Sequence, residues 1–180
     1  MAYPPSPWDL CGDLFVSLWR VGRAVAGTAF ANYRGGSLAY GELMAVRPVL
    51  DRQRPAVRIT DIWVDSVASR DGGRSLWAIP KKLADLQIAG DVWTASTAGR
   101  RIAAATFHRG RRLPGRWPVR LRISQPRSGS TVLTPTRGWA SAQLAHADWD
   151  LPADGPLAHL ADRRPLVSLV LADFEIRVGR

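Results

Sequence analysis

The stretch PVRLRIS, residues 118–124, shows most clearly which class of fold the sequence predicts. In it the apolar residues Val119, Leu121 and Ile123 alternate with two arginines and a serine. A period of two places successive side chains on opposite faces of an extended chain. The stretch therefore predicts a half-buried β-strand that carries arginines on its wet face.

Similar short runs fill most of the chain, and Gly, Pro, Asn or Asp punctuates their joins. Helical periodicity is confined to residues 67–77, with a further turn or two near residues 156–161. Strands are expected at residues 14–21, 28–34, 38–46, 57–64, 87–97, 101–107, 118–124, 130–135, 138–149 and 166–178. Many strands with short connections predict a mainly β protein, an antiparallel sheet curled into a barrel or a sandwich with one or two short helices.

The length of 180 residues suits one domain with a real core, and 46% hydrophobic residues indicate a globular chain. No internal repeat or linker divides it, so a single domain over residues 1–180 is expected. No apolar run reaches the roughly 18 residues of a membrane span, and the N-terminal residues lack the features of a signal peptide. Cys11 is the only cysteine, which suits a reducing compartment. We expect a cytoplasmic protein without a membrane partner.

The formal charge of +10 raises the question of nucleic acid as a partner. The densest basic stretch, residues 108–127, contains the alternating strand and is accompanied by no recognised nucleic-acid-binding motif. Arginine is in excess along the whole chain, which favours a solvated basic surface. A nucleic-acid partner is therefore the less favoured alternative.

Lys81 and Lys82 are the only two lysines among 25 basic residues. An amine can lose its proton and attack a carbonyl to form an imine, whereas a guanidinium stays charged. The ordinary lysine pKa of about 10.4 leaves little neutral amine at pH 7, but burial and an adjacent cation both lower it. A lysine pair in an apolar pocket therefore predicts an imine-forming nucleophile.

The two lysines are expected to differ in role. In an extended segment Trp77, Ile79 and Lys81 share one face, and Lys82 lies on the other. This geometry favours Lys81 as the nucleophile and Lys82 as an electrostatic helper that lowers the pKa of Lys81. The alternative is two solvated lysines after a turn.

Glu42 is the candidate partner of Lys81. It shares its strand face with the apolar side chains of Tyr40, Met44 and Val46, where a carboxyl group is expected to have a raised pKa and to carry a proton. The alternative is a core carboxylate paired with an arginine or with the Tyr40 hydroxyl. The three histidines are scattered without metal-ligand spacing, so no metal site is expected.

Gly73-Arg74 followed by LWAIPKKLA, residues 76–84, resembles the lysine segment of the acetoacetate decarboxylase family. Tyr40-Gly41-Glu42 is similar to the strand that holds the family's active-site glutamate. The C-terminal region, residues 138–179, is also similar in its PLAHL and LADFEI segments. The resemblance implies a cone-like, mostly antiparallel β-barrel with the lysines inside, and a homo-oligomer.

The resemblance also implies a chemistry. Neutral Lys81 would condense with the ketone of a small β-keto acid, and the protonated imine would accept the electrons released as carbon dioxide leaves. Glu42 would move protons, Lys82 would hold down the pKa of Lys81, and Arg74, Trp77 and Tyr40 would contact the substrate. No metal or organic cofactor would be needed, because the lysine imine is the electron sink.

Three departures from the family pattern leave the reaction open. The chain is shorter than a typical decarboxylase, and Ser75 stands where the family often has a glutamate. The family's arginine near the first strand falls at Gly12, which leaves Arg20 or Arg74 to replace it. The alternatives are an aldolase or dehydratase acting on pyruvate-like substrates, and a non-catalytic pocket that binds an acidic carbonyl ligand.

Overall fold

The computed structural model describes residues 3–180, most of which lie in β-strands. In chain order the strands are β1 (Trp8–Val21), β2 (Ala24–Gly36), β3 (Tyr40–Asp51), β4 (Arg54–Val64), β5 (Lys82–Leu83), β6 (Asp85–Ala89), β7 (Val92–Thr97), β8 (Arg100–Arg127), β9 (Ser130–Asp150) and β10 (Val167–Val178). One α-helix, α1 (Val67–Trp77), separates β4 from β5, and a short 3-10 helix spans Ala158–Leu160. Among the described residues no helix is both long and apolar enough to cross a membrane.

The strands form one curled sheet in the order β5-β4-β3-β2-β1-β10-β9-β8-β7-β6. Strands β1–β4 and β6–β10 pair antiparallel along this order, and β5 lies parallel to β4. A parallel pairing of β4 with β8, through Val57 and Ile123, closes a ring from β4 through β1 to β8. The predicted mainly β fold is confirmed, and the sheet takes the barrel form.

Several strand boundaries differ from the expectation: β1 begins at Trp8 and not at residue 14, the short strand β5 was not predicted, and three further places change how the chain divides into strands. Strand β8 joins the predicted strands at residues 101–107 and 118–124, because irregular register at Arg112 lets the chain bend without ending the pairing with β9. Strand β9 likewise joins two predicted strands. The single strand expected at residues 87–97 is a hairpin of β6 and β7, because Gly90 has a φ of +62° and turns the chain.

The helix prediction is confirmed at residues 67–77. The Ser66 side chain caps the N-terminus by accepting a hydrogen bond from the Ser69 N–H at 3.2 Å. At the other end Ala78 takes a left-handed conformation with φ +56°, and the Ile79 N–H donates to the Gly73 carbonyl at 3.0 Å. Pro80 follows, so the chain leaves the helix and reaches β4, where Lys82 pairs with Trp63.

The buried residues form two hydrophobic clusters on opposite faces of the sheet. The packed cluster contains the rings of Phe15, Trp19, Phe30, Trp93 and Phe107, and the 3-10 helix contributes to it. The cavity cluster is also rich in aromatic rings and contains Trp8, Tyr33, Tyr40, Trp77 and Phe174. Alternation along β1 and β2 divides the side chains between the two clusters.

Candidate active site

The cavity cluster encloses a space of about 260 Å³. Strands β1, β2, β3, β4, β8 and β10 all contribute lining side chains, and most of these are apolar. Val119, Leu121 and Ile123 are among them, so the apolar face of the PVRLRIS stretch lines this cavity. Glu42 and Lys81 are the ionisable carboxylate and amine in the lining.

The predicted partners Lys81 and Glu42 are in direct contact. Lys81 Nζ lies 2.7 Å from Glu42 Oε2, and their side chains are only 4% and 3% exposed. The same Nζ donates to the Tyr40 hydroxyl at 3.1 Å and to Ser69 Oγ at 2.9 Å. These three acceptors match the three N–H donors of an ammonium group. Lys81 therefore rests as a buried, fully hydrogen-bonded ammonium.

Two tyrosines complete this arrangement. The Tyr33 hydroxyl donates to the second oxygen of Glu42, Oε1, at 3.1 Å, and the Tyr33 and Tyr40 rings stack with centroids 4.4 Å apart. Burial, reinforced by the charge of Glu42, raises the pKa of Tyr40 to about 12 and that of Tyr33 well above its ordinary value. Both phenols therefore keep their protons at neutral pH.

Lys81 differs from the expectation in its protonation. Burial by itself lowers the pKa of Lys81, but the Glu42 carboxylate and Tyr40 outweigh it, so the pKa lies above its ordinary value. The prediction that Lys81 would rest neutral, with a depressed pKa, is corrected by this contact. The charge of a carboxylate at 2.7 Å dominates because little water screens it.

Lys82 points away from the cavity, as the alternation predicts. Its side chain is 56% exposed, and its Nζ lies 3.8 Å from Asp61 Oδ1 and 5.6 Å from the centre of the Trp63 ring. Water and Asp61 both weaken the field that Lys82 exerts at Lys81. The structure therefore gives no support to Lys82 as the group that holds down the pKa of Lys81.

Small residues of α1 make room for Lys81 and for the Trp8 ring. A Cβ added to Gly73 would lie 2.8 Å from Lys81 Cδ, and one added to Gly72 would lie 2.5 Å from the Trp8 ring. Ser69, four residues before Gly73, lies on the same helix face and accepts from Nζ. Of the two glycines that weaken the helix in the sequence, Gly73 therefore lets it approach Lys81 and Gly72 lets it approach the Trp8 ring.

Sequence reasoning missed Ser69 and Tyr33. The small residues at positions 69, 72 and 73 follow helical spacing immediately before the lysines, and this signal could have identified the helix face beside Lys81. Tyr33 carried no such local signal. It reaches Glu42 because β2 pairs with β3, where Tyr33 is opposite Tyr40.

Two of the three predicted substrate-binding residues line the cavity, and the third does not. Tyr40 and Trp77 line the cavity. Arg74 does not: its side chain is exposed, and its Nε donates to the carbonyl oxygen of Lys81 at 2.7 Å. Arg74 therefore fixes the backbone of the lysine segment, and its predicted contact with substrate in the cavity is corrected.

No arginine replaces the one that the family pattern places at Gly12. A Cβ on Gly12 would lie 1.8 Å from the Asn32 carbonyl oxygen, at an irregularity in the β1–β2 pairing, so this backbone accepts no side chain there. Arg20 is exposed at the end of β1. Among residues 3–180 the cavity lining contains no arginine, and Lys81 is its cation. The same residues contain no group of three or more His, Cys, Asp or Glu side chains placed to hold a metal ion.

Known structures share this architecture. Acetoacetate decarboxylase from Legionella pneumophila superposes with a TM-score of 0.74 at 18% identity, over 99% of this chain and 87% of that one. The enduracididine biosynthesis enzyme MppR, in complex with pyruvate, gives a TM-score of 0.71 at 17% identity, over 100% and 91% of the two chains. An acetoacetate decarboxylase-like enzyme from Sphingomonas wittichii RW1 gives 0.63 at 13% identity, over 96% and 90%. At these identities the likeness establishes the fold.

The sequence itself establishes the family. A search of the curated proteins finds no significant match, so the assignment depends on the family model. The family model described as acetoacetate decarboxylase matches residues 17–148, well over half of the chain, and this range contains Glu42, Lys81 and Lys82. The chain belongs to the acetoacetate decarboxylase family.

Proposed function

We propose that this protein is an enzyme that forms an imine between Lys81 and the ketone of a β-keto acid and releases carbon dioxide. The observation that carries the proposal is the contact of Lys81 Nζ with Glu42 Oε2 at 2.7 Å, inside an apolar cavity. Family membership supports the same chemistry, because the members with solved structures include acetoacetate decarboxylases.

Glu42 is the group that generates the nucleophile. Moving one proton from Lys81 Nζ to Glu42 Oε2 converts the ion pair into a neutral amine and a neutral acid without changing the net charge. A substrate that displaces water from the cavity favours this neutral pair, because isolated charges are costly in an apolar medium. Lys81 therefore becomes reactive when the site is filled, and no help from Lys82 is required.

The same proton drives imine formation. The neutral amine attacks the ketone carbon, and a proton passes from the nitrogen to the former carbonyl oxygen to give a carbinolamine. Glu42 donates its proton to that hydroxyl, which leaves as water, and the product is a protonated imine beside a carboxylate. Tyr33 holds Glu42 through Oε1 while Oε2 exchanges the proton.

Decarboxylation follows from the positive charge of the imine. The bond to the carboxylate breaks, its electron pair moves to form an enamine, and the imine nitrogen accepts the displaced π electrons. Glu42, protonated again from water, gives a proton to the enamine carbon. Water then hydrolyses the imine to the product ketone and restores Lys81. One proton is consumed in the cycle for each carbon dioxide released.

Borohydride trapping tests the proposal, with acetoacetate, longer β-keto acids and pyruvate as the panel. We expect a reduced adduct on the peptide that contains Lys81, together with carbon dioxide from at least one β-keto acid. The Lys82→Arg variant is the matched control and should keep the adduct, whereas Lys81→Arg should lose it. Absence of any Lys81 adduct across the panel contradicts the proposal.

Pyruvate belongs in the panel because the structurally similar enzyme MppR has been crystallised with it. An adduct with pyruvate and no carbon dioxide from any β-keto acid would reassign the chemistry to carbonyl condensation or dehydration. Ligand binding that survives in Lys81→Arg, without any adduct in the unmodified protein, would indicate a pocket that only binds.

A further inference from the structure

Strand β3 shows in which direction the cavity opens. Glu42, Met44 and Val46 line the cavity at alternate positions of this strand. Glu42 is buried beside Lys81, whereas Met44 and Val46 are half-buried. At about 3.3 Å per residue, the four steps from Glu42 to Val46 span roughly 13 Å. Lys81 therefore lies at the closed end of the cavity, and the space becomes more accessible toward Val46.

The neighbouring strands continue this open end around the barrel. Val46 pairs with Gly27 of β2, and Gly27 pairs with Leu18 of β1. All three residues line the cavity, and Leu18 is half-buried like Val46. A Cβ added to Gly27 would lie 2.9 Å from Val46 Cγ2 and 3.5 Å from Leu18 Cδ2, so the two side chains lean over the glycine. We call these three residues the apolar rim.

The charges of the cavity lie at its closed end. In the part of the chain that the structure describes, Glu42 and Lys81 are the lining residues that carry a charge at neutral pH, and they pair with each other. Thr28 also lines the cavity, but its hydroxyl accepts from Trp19 Nε1 of the packed cluster at 2.8 Å. Thr136 contributes one neutral hydroxyl, which does not offset the cost of burying a charge. A charged group of a ligand near the rim would therefore have no ionic partner in this lining.

The cavity is larger than acetoacetate requires. An apolar cavity of about 150 Å³ holds one benzene, so 260 Å³ has room for roughly ten non-hydrogen atoms. Acetoacetate has seven, and replacing its methyl group by a butyl chain adds three more. An extended chain gains about 1.2 Å per bond, so a tail of four to six carbons reaches about 5–7 Å from the ketone carbon. Such a tail stays within the roughly 13 Å between Glu42 and Val46.

We infer that the substrate is a β-keto acid with an uncharged, apolar tail of about four to six carbons, an inference that rests on the proposed function. The ketone lies at Lys81, and the tail extends from it toward the apolar rim. The carboxylate that leaves as carbon dioxide is the single anion of the substrate, and the protonated imine is its counter-charge. A second anionic group at the end of the tail would be buried without a partner.

Three methyl ketones test the inference by their trapping on Lys81. Acetone has no tail, 2-octanone has a six-carbon tail, and 7-oxooctanoate has the same carbon chain ending in a carboxylate. The measurement is the concentration that gives half-maximal borohydride trapping on the Lys81 peptide. We expect 2-octanone to need at least about tenfold less than acetone, because its additional methylene groups leave water. We expect 7-oxooctanoate to need at least about tenfold more than 2-octanone.

A substitution at the rim tests where the tail lies. Val46→Trp adds seven non-hydrogen atoms to a space with room for about ten, so the preference for 2-octanone over acetone should shrink to within a few-fold. Val25→Trp is the matched control, because this valine of β2 is 41% exposed and is not among the residues that line the cavity. It should keep the preference.

The possible failures are distinguishable. Equal half-maximal concentrations of acetone and 2-octanone, or tighter trapping of 7-oxooctanoate than of 2-octanone, overturn the inference and leave the imine chemistry standing. A preference for 2-octanone that survives in Val46→Trp overturns the placement of the tail toward the rim. Absence of a Lys81 adduct with all three ketones and with acetoacetate overturns the proposed function itself.

Discussion

The packed cluster and the cavity cluster are built from the same strands and from similar aromatic residues, but they differ in how fully their side chains fill the space. In the packed cluster the Phe15 ring meets Trp93 at a centroid distance of 4.8 Å and Phe107 at 5.1 Å. In the cavity cluster the stacked rings of Tyr33 and Tyr40 border an unfilled space of about 260 Å³ and hold a buried ion pair. One cluster is filled with apolar contacts, and the other keeps room for a ligand.

The lysine pair shows the same division at the scale of two residues. Lys81 enters the cavity cluster, while Lys82 lies over Trp63, a member of the packed cluster, and reaches solvent. Side chains of adjacent residues in an extended chain point to opposite sides. The Lys81 ammonium is therefore buried, and the Lys82 ammonium next to it in sequence is exposed. The difference teaches that burial and partner, rather than residue type, set the chemistry of each amine.

The largest expected effect comes from replacing the amine in the cavity cluster. Lys81→Arg should reduce carbon dioxide release to background, because a guanidinium does not form the imine. Lys82→Arg should keep turnover within a few-fold, because its charge and its exposed position are preserved. The measurement is carbon dioxide release, with circular dichroism to show that both variants are folded. Equal losses in the two variants would contradict the division between the lysines.

Removing the proton carrier should have the next largest effect. Glu42→Gln preserves the shape of the side chain but accepts no proton from Lys81, and loss of such a group typically lowers rates by about 10²–10⁴-fold. The same variant leaves the ammonium without its charged partner, so the pKa of Lys81 should fall. The rate and its pH profile check both expectations. A rate within a few-fold of the unmodified protein would remove Glu42 from the mechanism.

Two phenylalanines allow a matched comparison of the clusters by stability. Phe15→Ala removes a ring that is surrounded by others, and it should lower the free energy of unfolding by about 3–5 kcal/mol. Phe174→Ala removes a buried ring that already borders the cavity, so fewer contacts are lost and the cost should be smaller. Denaturant unfolding measures both. Equal costs would mean that the cavity cluster is packed as fully as the other.

Alkaline pH should weaken the cavity cluster in particular. Lys81 and Tyr40 both have raised pKa values in the folded protein, so their stabilising effect is complete below the unfolded values near 10 and is lost as pH rises through the folded values. For Tyr40 the rise to about 12 corresponds to roughly 3 kcal/mol. Tyr40→Phe should therefore show a smaller fall in unfolding free energy between pH 9 and pH 12. An identical fall in both proteins would contradict this contribution.

The smallest expected effect concerns the segment that delivers Lys81 to the cavity. Ala78 has a φ of +56°, a conformation that glycine adopts without steric cost. Ala78→Gly should therefore raise the free energy of unfolding by about 0.5–1 kcal/mol and leave imine trapping unchanged. Thermal unfolding measures the first effect. A loss of stability would show that the left-handed turn is relaxed in the native chain.

Local pattern was sufficient to predict much of the fold. Period-two alternation predicted the strands, and the run from Val67 to Trp77 predicted the helix, because both depend on residues close in sequence. The continuity of β8 was not predicted, since its bend depends on pairing with β9 around Arg112. The small strand β5 depends in the same way on β4, which lies far away in sequence.

The candidate site was predicted unevenly for the same reason. Alternation predicted that the side chains of Lys81 and Glu42 point into the protein. The structure adds that Lys81 Nζ lies 2.7 Å from Glu42 Oε2. The pKa of Lys81 was misjudged because the decisive neighbour is the distant Glu42 and not the adjacent Lys82. Arg74 was misplaced because its hydrogen bond to the Lys81 carbonyl depends on how the helix ends.

The pairing of Val57 with Ile123, which closes the ring, is the shortest joint of the barrel. Every other joint around the ring is a ladder of several residue pairs, whereas within the described residues β4 and β8 share this one pair, and side-chain hydrogen bonds from Arg58 to the Ser124 carbonyl and from Gln125 to the Ile59 carbonyl lie beside it. Local opening occurs where the fewest hydrogen bonds must break. The joint between β4 and β8 is therefore the one at which the fewest backbone pairs hold the ring closed.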